Sequence, residues 1–212
     1  MNVPHVDWPQ LQQISAAFYA GKTSRDEARS AVIDVIFRRL NCSRVSLWRF
    51  DGVPGSLRLL CFASKVAGQP LVTTEQWLLE EEYSAYFDGL VREGMYVSID
   101  AMADPRLQPL RANYLVPHNV RSMLDAAFMV NGRAYGMVCC EETDAIRTWR
   151  SEEIAHLRAI VAKLAMLMAS ARDEVLWGTP SRPMMAIQAA KAGEAAVQTD
   201  PLPPAAGRNR RS

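Results

Sequence analysis

The run Arg121–Glu142, RSMLDAAFMVNGRAYGMVCCEE, decides the fold class of this chain. Asn131-Gly132 stands between two mainly apolar runs, and Asn-Gly at such a point is the strongest short-range signal for a β-hairpin. The sequence therefore predicts strands over residues 121–130 and 134–142. Because so short a turn joins antiparallel neighbours, the sheet around this hairpin is expected to be antiparallel.

A second hairpin is indicated nearer the N-terminus. The stretch Arg44–Phe50 alternates polar and apolar residues, stops at Asp51-Gly52, and is followed by a second strand-like run, Ser56–Ser64. This pattern predicts a hairpin with a connection of five or six residues. A further short strand is expected over Met95–Ile99.

Helical periodicity dominates the two ends of the chain. Apolar residues recur at helical spacing from Trp8 to about Gly21, from Ser24 to Leu40 and from Ser151 to about Trp177. Ser24 with Glu27 forms a capping-box pattern. An amphipathic helix is expected from Glu80 to about Arg92, and the loop over 100–117 leaves room for another around 107–115. The resulting order, ααββαβ(α)ββα, predicts an α+β sandwich of helices on a mainly antiparallel sheet.

Composition describes an ordinary soluble globule. The 212 residues are 49% hydrophobic and 22% charged, with a formal net charge of +1. This balance offers no electrostatic case for nucleic acid or for an anionic membrane as partner. Since the chain also lacks a spanning apolar run and the layout of a signal peptide, a cytoplasmic location without membrane association is expected.

The cysteines and histidines do not form a metal-binding pattern. The four cysteines, at 42, 61, 139 and 140, contain no CxxC pair, and the three histidines lie far from them. Clustered ligands are the requirement for a zinc site, so no metal site is predicted and the thiols are expected to be free and buried. Residues 178–212 are rich in proline, alanine and arginine, which predicts a disordered tail.

Several strings in this order resemble the GAF domain, a small-molecule sensor module of bacterial signalling proteins. They are Arg44–Phe50, Tyr83–Phe87, Ile99–Arg106, Val120–Ala126, Gly136–Glu141 and Arg147–Trp149. The resemblance implies a PAS-related antiparallel sheet. Its terminal helices would lie on one face, and a capping segment, the predicted helix over 80–92 with the loop over 100–117, would lie on the other. The organisation expected is an N-terminal helix over 1–23, a GAF-like domain over 24–177 and the tail over 178–212.

The chain departs from several functional subgroups of that family. Glu142-Thr143 stands where relatives often carry a histidine after the glutamate of the penultimate strand. The asparagine-lysine-phenylalanine-aspartate-glutamate signature of cyclic-nucleotide-binding members is not recognisable. The chromophore-attachment context of phytochromes, a cysteine before a histidine, is missing too, because His118 follows Pro117. The sequence therefore identifies no cofactor and no particular ligand.

The candidate ligand site combines residues that the resemblance brings beneath the capping segment. It consists of Tyr83, Phe87, Tyr96, Arg121, Met123 and Asp125. Strand alternation places Arg121, Met123 and Asp125 on one face. Each also has a plain structural interpretation: Asp125 as an acid paired with an arginine or a backbone amide, the aromatic side chains as ordinary core, and Arg121 as a solvent-exposed cation.

Three functions are compatible with these residues. The first is a non-enzymatic sensor that binds a small molecule and, lacking an output domain, acts through a signalling partner in trans. The second is a GAF-shaped protein–protein interaction scaffold without a ligand. The third is a redox enzyme of the free methionine sulfoxide reductase type, for which Cys139 and Cys140, facing opposite sides of a strand, are the available thiols.

A homodimer is also expected. The N-terminal helix and the last helix carry broader apolar stripes than one sheet face absorbs, and GAF-like domains often pair these helices. On this hypothesis Leu164→Glu would weaken the dimer.

Overall fold

The computed structural model describes residues 8–170 of the chain. The helices are α1 (Trp8–Tyr19), α2 (Arg25–Leu40), α3 (Ser84–Glu93) and α4 (Ser151–Ser170). The strands are β1 (Arg44–Asp51), β2 (Arg58–Val66), β3 (Gln76–Leu79), β4 (Met95–Ser98), β5 (Val120–Val130) and β6 (Arg133–Thr143). A 3₁₀ helix, Pro105–Leu110, and a π-helical turn, Arg111–Leu115, follow β4. The tail predicted over 178–212 and the predicted end of the last helix near Trp177 lie outside the described residues.

The six strands form one antiparallel sheet in the order β3-β2-β1-β6-β5-β4. Both predicted hairpins are confirmed, and β5 and β6 are joined by Asn131 and Gly132 at φ 51° and 76°. Positive φ at both central positions is what a type I′ turn requires, and it explains why Asn-Gly stands there. The α+β class with an antiparallel sheet is confirmed.

The helix boundaries follow local capping signals. The side chain of Ser24 accepts a hydrogen bond from the backbone N–H of Glu27, whose carboxylate in turn accepts from the Ser24 N–H. This reciprocal pair satisfies two of the amides that a helix start leaves without partners. The helix ends at Asn41, which adopts the left-handed conformation at φ 48°. The predicted capping box is confirmed.

The expected helix start at Glu80 is wrong. The backbone N–H of Glu80 donates to the carbonyl of Leu57, its carboxylate accepts from the Leu57 N–H at 2.7 Å, and α3 begins only at Ser84. Gln76–Leu79, the four residues before Glu80, form β3, an edge strand that sequence periodicity did not predict. Glu80 therefore fastens the end of β3 to the start of β2 and is not a solvated helix terminus.

The sheet separates two cores, as expected. On one face, α1, α2 and α4 cover the helix-side core, which includes Val45, Leu47, Leu124, Val138 and Cys140. On the other, the capping segment, α3 with the turns through residue 115, covers the capping-side core, which includes Trp48, Phe87, Met123, Met137 and Cys139. Cys139 and Cys140 thus face opposite sides of the sheet, as predicted.

The proposed dimer test at Leu164 needs correction. Leu164 is fully buried in the helix-side core, so Leu164→Glu would disrupt the fold of one chain before it reported on a dimer. Apolar surface does remain on the terminal helices, since Trp8, Ile14 and Phe18 are half-buried and Met166 is 56% exposed. Across residues 8–170, no helix combines the length and the hydropathy needed to span a bilayer.

Candidate functional site

Of the six predicted site residues, four are buried together on one face of the sheet, a fifth packs against the same core, and the sixth is only half-buried. Phe87, Tyr96, Met123 and Asp125 are buried on the capping side of the sheet, and Tyr83 packs against the same core from the N-terminal cap of α3. Tyr96 of β4 lies directly opposite Asp125 of β5 in the strand register.

Arg121 is the exception. It is half-buried near the start of β5, and its Nε is buried without a hydrogen-bond partner among the described residues. Arg121 is therefore not the fully solvent-exposed cation of the plain structural interpretation.

Asp125 is a buried carboxylate in an aromatic environment. It has no exposed surface, and the hydroxyl of Tyr86 donates to its Oδ2 at 2.8 Å. Its Oδ1 is also buried and accepts no hydrogen bond from the described residues. Burial raises the pKa of Asp125 to about 7, although the neighbouring Cys139 thiol and the Tyr86 hydroxyl act to lower it. A carboxylate oxygen left without a donor at such a depth is costly unless something supplies one.

Tyr86 was absent from the predicted site, although its ring belongs to the same helix as Tyr83 and Phe87. Its hydroxyl also lies 3.4 Å from the sulfur of Met137, and its ring stacks edge-on against Tyr96 at 5.0 Å. The i, i+3 spacing of Tyr83 and Tyr86 was the available signal. The partners that the structure provides for the Asp125 carboxyl are thus a phenol and the neighbouring Cys139 thiol, and neither an arginine nor a backbone amide.

A second buried carboxylate, Glu141, lies on the same side of the sheet. Tyr114 donates to its Oε1 at 2.7 Å, and Arg44 forms a direct ion pair with its Oε2 while also donating to the Tyr114 hydroxyl at 3.0 Å. Burial acts to lower the pKa of Arg44, but Glu141 and Tyr114 outweigh it and the pKa rises. Glu141 was not predicted as a site residue, although its spacing of two residues from Cys139 and four from Met137 puts all three on one strand face.

These groups form a polar strip inside an otherwise apolar core. Asp125 lies opposite Cys139 in the β5–β6 register, and Glu141 follows two residues along β6. Such a strip can recognise hydrogen-bond donors on a ligand, because its carboxylates accept and its surroundings exclude water. It does not supply a ready nucleophile, since burial raises the pKa of the Cys139 thiol well above its ordinary value.

A cavity of about 430 Å³ lies at a different place, along the edge of the sheet formed by β4. It is lined by Glu93, Met95, Tyr96, Val97, Asp104, Arg106, Ile154 and Arg158. Tyr96 contributes to both regions, and its hydroxyl donates to Asp104 at 2.9 Å. Within residues 8–170, no group of three or more histidine, cysteine, aspartate or glutamate side chains is placed to hold a metal ion.

Comparison with known proteins places this architecture among GAF domains. The family model described as the GAF domain matches residues 24–168. The phycocyanobilin-bound GAF domain of a cyanobacterial phytochrome is 15% identical with a TM-score of 0.58, covering 76% of this chain and 92% of that one. The blue-light-absorbing form of the Thermosynechococcus elongatus PixJ GAF domain is 16% identical with a TM-score of 0.56, covering 90% and 97%. No curated protein matches the chain significantly. At these identities the structural matches establish the fold alone.

Proposed function

Because the chain belongs to the GAF domain family, we propose that it is a non-enzymatic sensor module that binds a small molecule beneath the capping segment. The observation that carries this proposal is the buried Oδ1 of Asp125, which has no donor within residues 8–170. A ligand that presents an N–H or O–H group to this oxygen would supply the missing hydrogen bond. Ligand binding would thereby offset an energetic cost of the unliganded fold.

The remaining predicted residues have complementary roles in this site. Phe87 and Tyr96 offer aromatic walls, Met123 an adaptable apolar contact, and Tyr83, half-buried at the start of α3, a contact at the rim. Arg121 stands at a register irregularity of β5, between Val120 and Ser122, so alternation alone does not fix its face, and its Nε has no partner among the described residues. We therefore expect a flat, partly apolar ligand with a donor group at Asp125 and an anionic or carbonyl group toward Arg121.

A covalently attached bilin does not fit the cysteines of this chain. The four cysteines are all buried in strands or in the core, and Pro117, rather than a cysteine, precedes His118. Burial also raises the pKa of Cys61 to about 12. Since the thiolate is the form that attacks an electrophile, covalent attachment to these thiols is disfavoured. The same reasoning weighs against a methionine sulfoxide reductase, whose pocket thiol must be reactive.

The structural change caused by ligand binding would be transmitted to a partner through the terminal helices. We propose that α1 and α4 pair with those of a second copy, because both keep apolar surface beyond what the sheet covers. A ligand that shifts the capping segment would then alter a helical bundle that a signalling protein reads in trans. Met166→Glu, at a position 56% exposed, should convert the homodimer to a monomer in light scattering without loss of thermal stability.

Native mass spectrometry of the freshly purified full chain tests ligand binding. We expect a non-covalent adduct in the wild type and its loss in Asp125→Asn. Asp104→Asn is the matched control, because Asp104 also accepts a tyrosine hydroxyl, that of Tyr96 at 2.9 Å, but lies outside the capping-side core. If no adduct appears and no compound of a metabolite library raises the melting temperature, the sensor proposal fails and the ligand-free scaffold is the better description.

A further inference from the structure

The outer edge of β4 offers hydrogen-bonding groups that β5 does not use. The Ala127 N–H donates to the Gly94 carbonyl at 2.9 Å, which fixes the alternation of bonded pairs along β4 and β5. Tyr96 and Ser98 then bond to β5, while Met95 and Val97 direct their N–H and C=O groups away from it. Because β4 is the last strand of the sheet, these groups face its free edge.

The side chains around this edge form an open groove. The 430 Å³ cavity follows β4, with Val97 and Ile154 on the helix side and Tyr96 and Arg106 on the capping side. Val97 is 43% exposed, so an apolar side chain marks the middle of the edge. A strand added here would place alternate side chains against the two walls.

The groove carries both signs of charge, Glu93 and Asp104 beside Arg106 and Arg158, and none of the four is in an ion pair among the described residues. Among residues 8–170, neither Arg106 nor Arg158 lies within ion-pair distance of a carboxylate. Asp104, the acid nearest to Arg106 in sequence, already accepts from the Tyr96 hydroxyl and from the Arg106 backbone N–H at 3.0 Å. The two guanidinium groups extend from elements on opposite faces of the sheet, the 3₁₀ helix and α4.

We propose that the β4 edge binds an extended, acidic segment of a partner protein as a seventh strand. The backbone of Met95 and Val97 would pair with the segment, an apolar side chain would cover Val97, and acidic side chains would reach Arg158 and Arg106. The proposal locates a surface for the partner of the proposed function and rests on that function only for the existence of a partner. It does not depend on a ligand at Asp125.

Charged side chains beside an edge strand also serve to prevent association, which is the competing interpretation. That device usually places a charge on the edge strand itself, pointing where a partner would pack. Here the central outward residue is Val97, and the charges stand on neighbouring elements where they frame the edge. The arrangement therefore favours selective binding over general exclusion.

The test uses a phage-displayed library of nine-residue peptides panned against the immobilised full chain. Enriched sequences are then measured as labelled peptides by fluorescence anisotropy. We expect enrichment of β-branched peptides that carry aspartate or glutamate. Val97→Pro should weaken their binding about tenfold, because it removes an outward N–H that β5 does not use. Val97→Thr keeps that N–H and should weaken binding less than Val97→Pro does, because it changes only the apolar contact.

Charge substitutions in the groove test whether the edge prefers acidic peptides. Arg158→Gln should weaken the acidic peptides and make their binding less dependent on salt, whereas Glu93→Gln should leave it equal or stronger. The absence of enriched peptides, enrichment of basic ones, or equal binding by Val97→Pro would overturn the proposal. So would a concentration-dependent dimer of the wild type that Val97→Pro abolishes, since the occupant would then be a second copy.

A second measurement covers the case in which Val97→Pro does not fold. Amide hydrogen exchange at Val97 of the wild type should be fast in the free protein and protected when the peptide is bound. Unchanged exchange would refute the added strand. If the peptide tests are negative while the Asp125-dependent adduct is still observed, the docking surface is refuted and the sensor proposal is unaffected.

Discussion

Asp125→Asn should change the pH dependence of stability in a direction that the structure determines. The pKa of this carboxyl rises from 3.8 to about 7 on folding, chiefly through burial. The folded chain therefore binds more protons than the unfolded chain between these pH values, and the free energy of unfolding falls as pH rises through that window. About one pH unit above 7 the loss is complete.

The expected difference in unfolding free energy follows from the size of the pKa change. At about 1.4 kcal/mol per pH unit, the rise in pKa corresponds to about 4 kcal/mol of unfolding free energy. Asparagine keeps the shape and the acceptor for Tyr86 but carries no charge. The variant should equal the wild type within about 1 kcal/mol near pH 4 and should exceed it by up to about 4 kcal/mol at pH 8.

Urea denaturation of both proteins from pH 4 to pH 8, followed by circular dichroism, measures this difference. Other titrating groups are common to both chains and cancel in the comparison. If the difference in unfolding free energy between the two proteins is the same from pH 4 to pH 8, Asp125 is ionised in the folded chain throughout this range. A wild type that gains stability over the variant toward pH 8 would refute the reasoning outright, because Asp125 would then have a counter-charge.

Other contacts give independent predictions. Glu141→Gln should cost about 3–5 kcal/mol in urea denaturation, because Arg44 would remain buried without its counter-charge, whereas Asp88→Asn, at an exposed ion pair with Arg92, should cost less than about 1 kcal/mol. Ser24→Ala should lower the free energy of unfolding by about 1 kcal/mol through loss of the capping box. An aromatic disulfide reagent should react slowly with the native chain and with all four thiols after denaturation, since the four cysteines are buried; rapid reaction of the folded chain would contradict their placement.

Much of the fold could be predicted because its signals are local. The Asn131-Gly132 turn and the Ser24–Glu27 capping box are each complete within a few residues, so their geometry needs no knowledge of the rest of the chain. Strand β3 lacked such a signal. Its four residues are too few to establish a period of two, and what holds Gln76–Leu79 extended is pairing with β2.

The candidate site was predictable in part for the same reason. Alternation along β5 is enough to place Met123 and Asp125 on one face of the sheet. Alternation does not reveal which groups meet that face. Tyr86 reaches Asp125 across 39 residues of sequence, and Arg44 reaches Glu141 across 97.

The sequence alone determined the hairpins, the terminal helices and the sheet face shared by Met123 and Asp125, since these depend on turn chemistry, capping and side-chain period; where the register shifts, as between Val120 and Ser122, alternation fails. Tertiary structure decided which hydrogen-bond and ion-pair partners the buried carboxylates have. Asp125 meets a phenol and keeps an oxygen without a donor among the described residues, while Glu141 meets an arginine and a phenol, and neither set of partners can be read from the strand sequences. The cost of burying a charge depends on the groups that pack around it, and those groups come from distant parts of the chain.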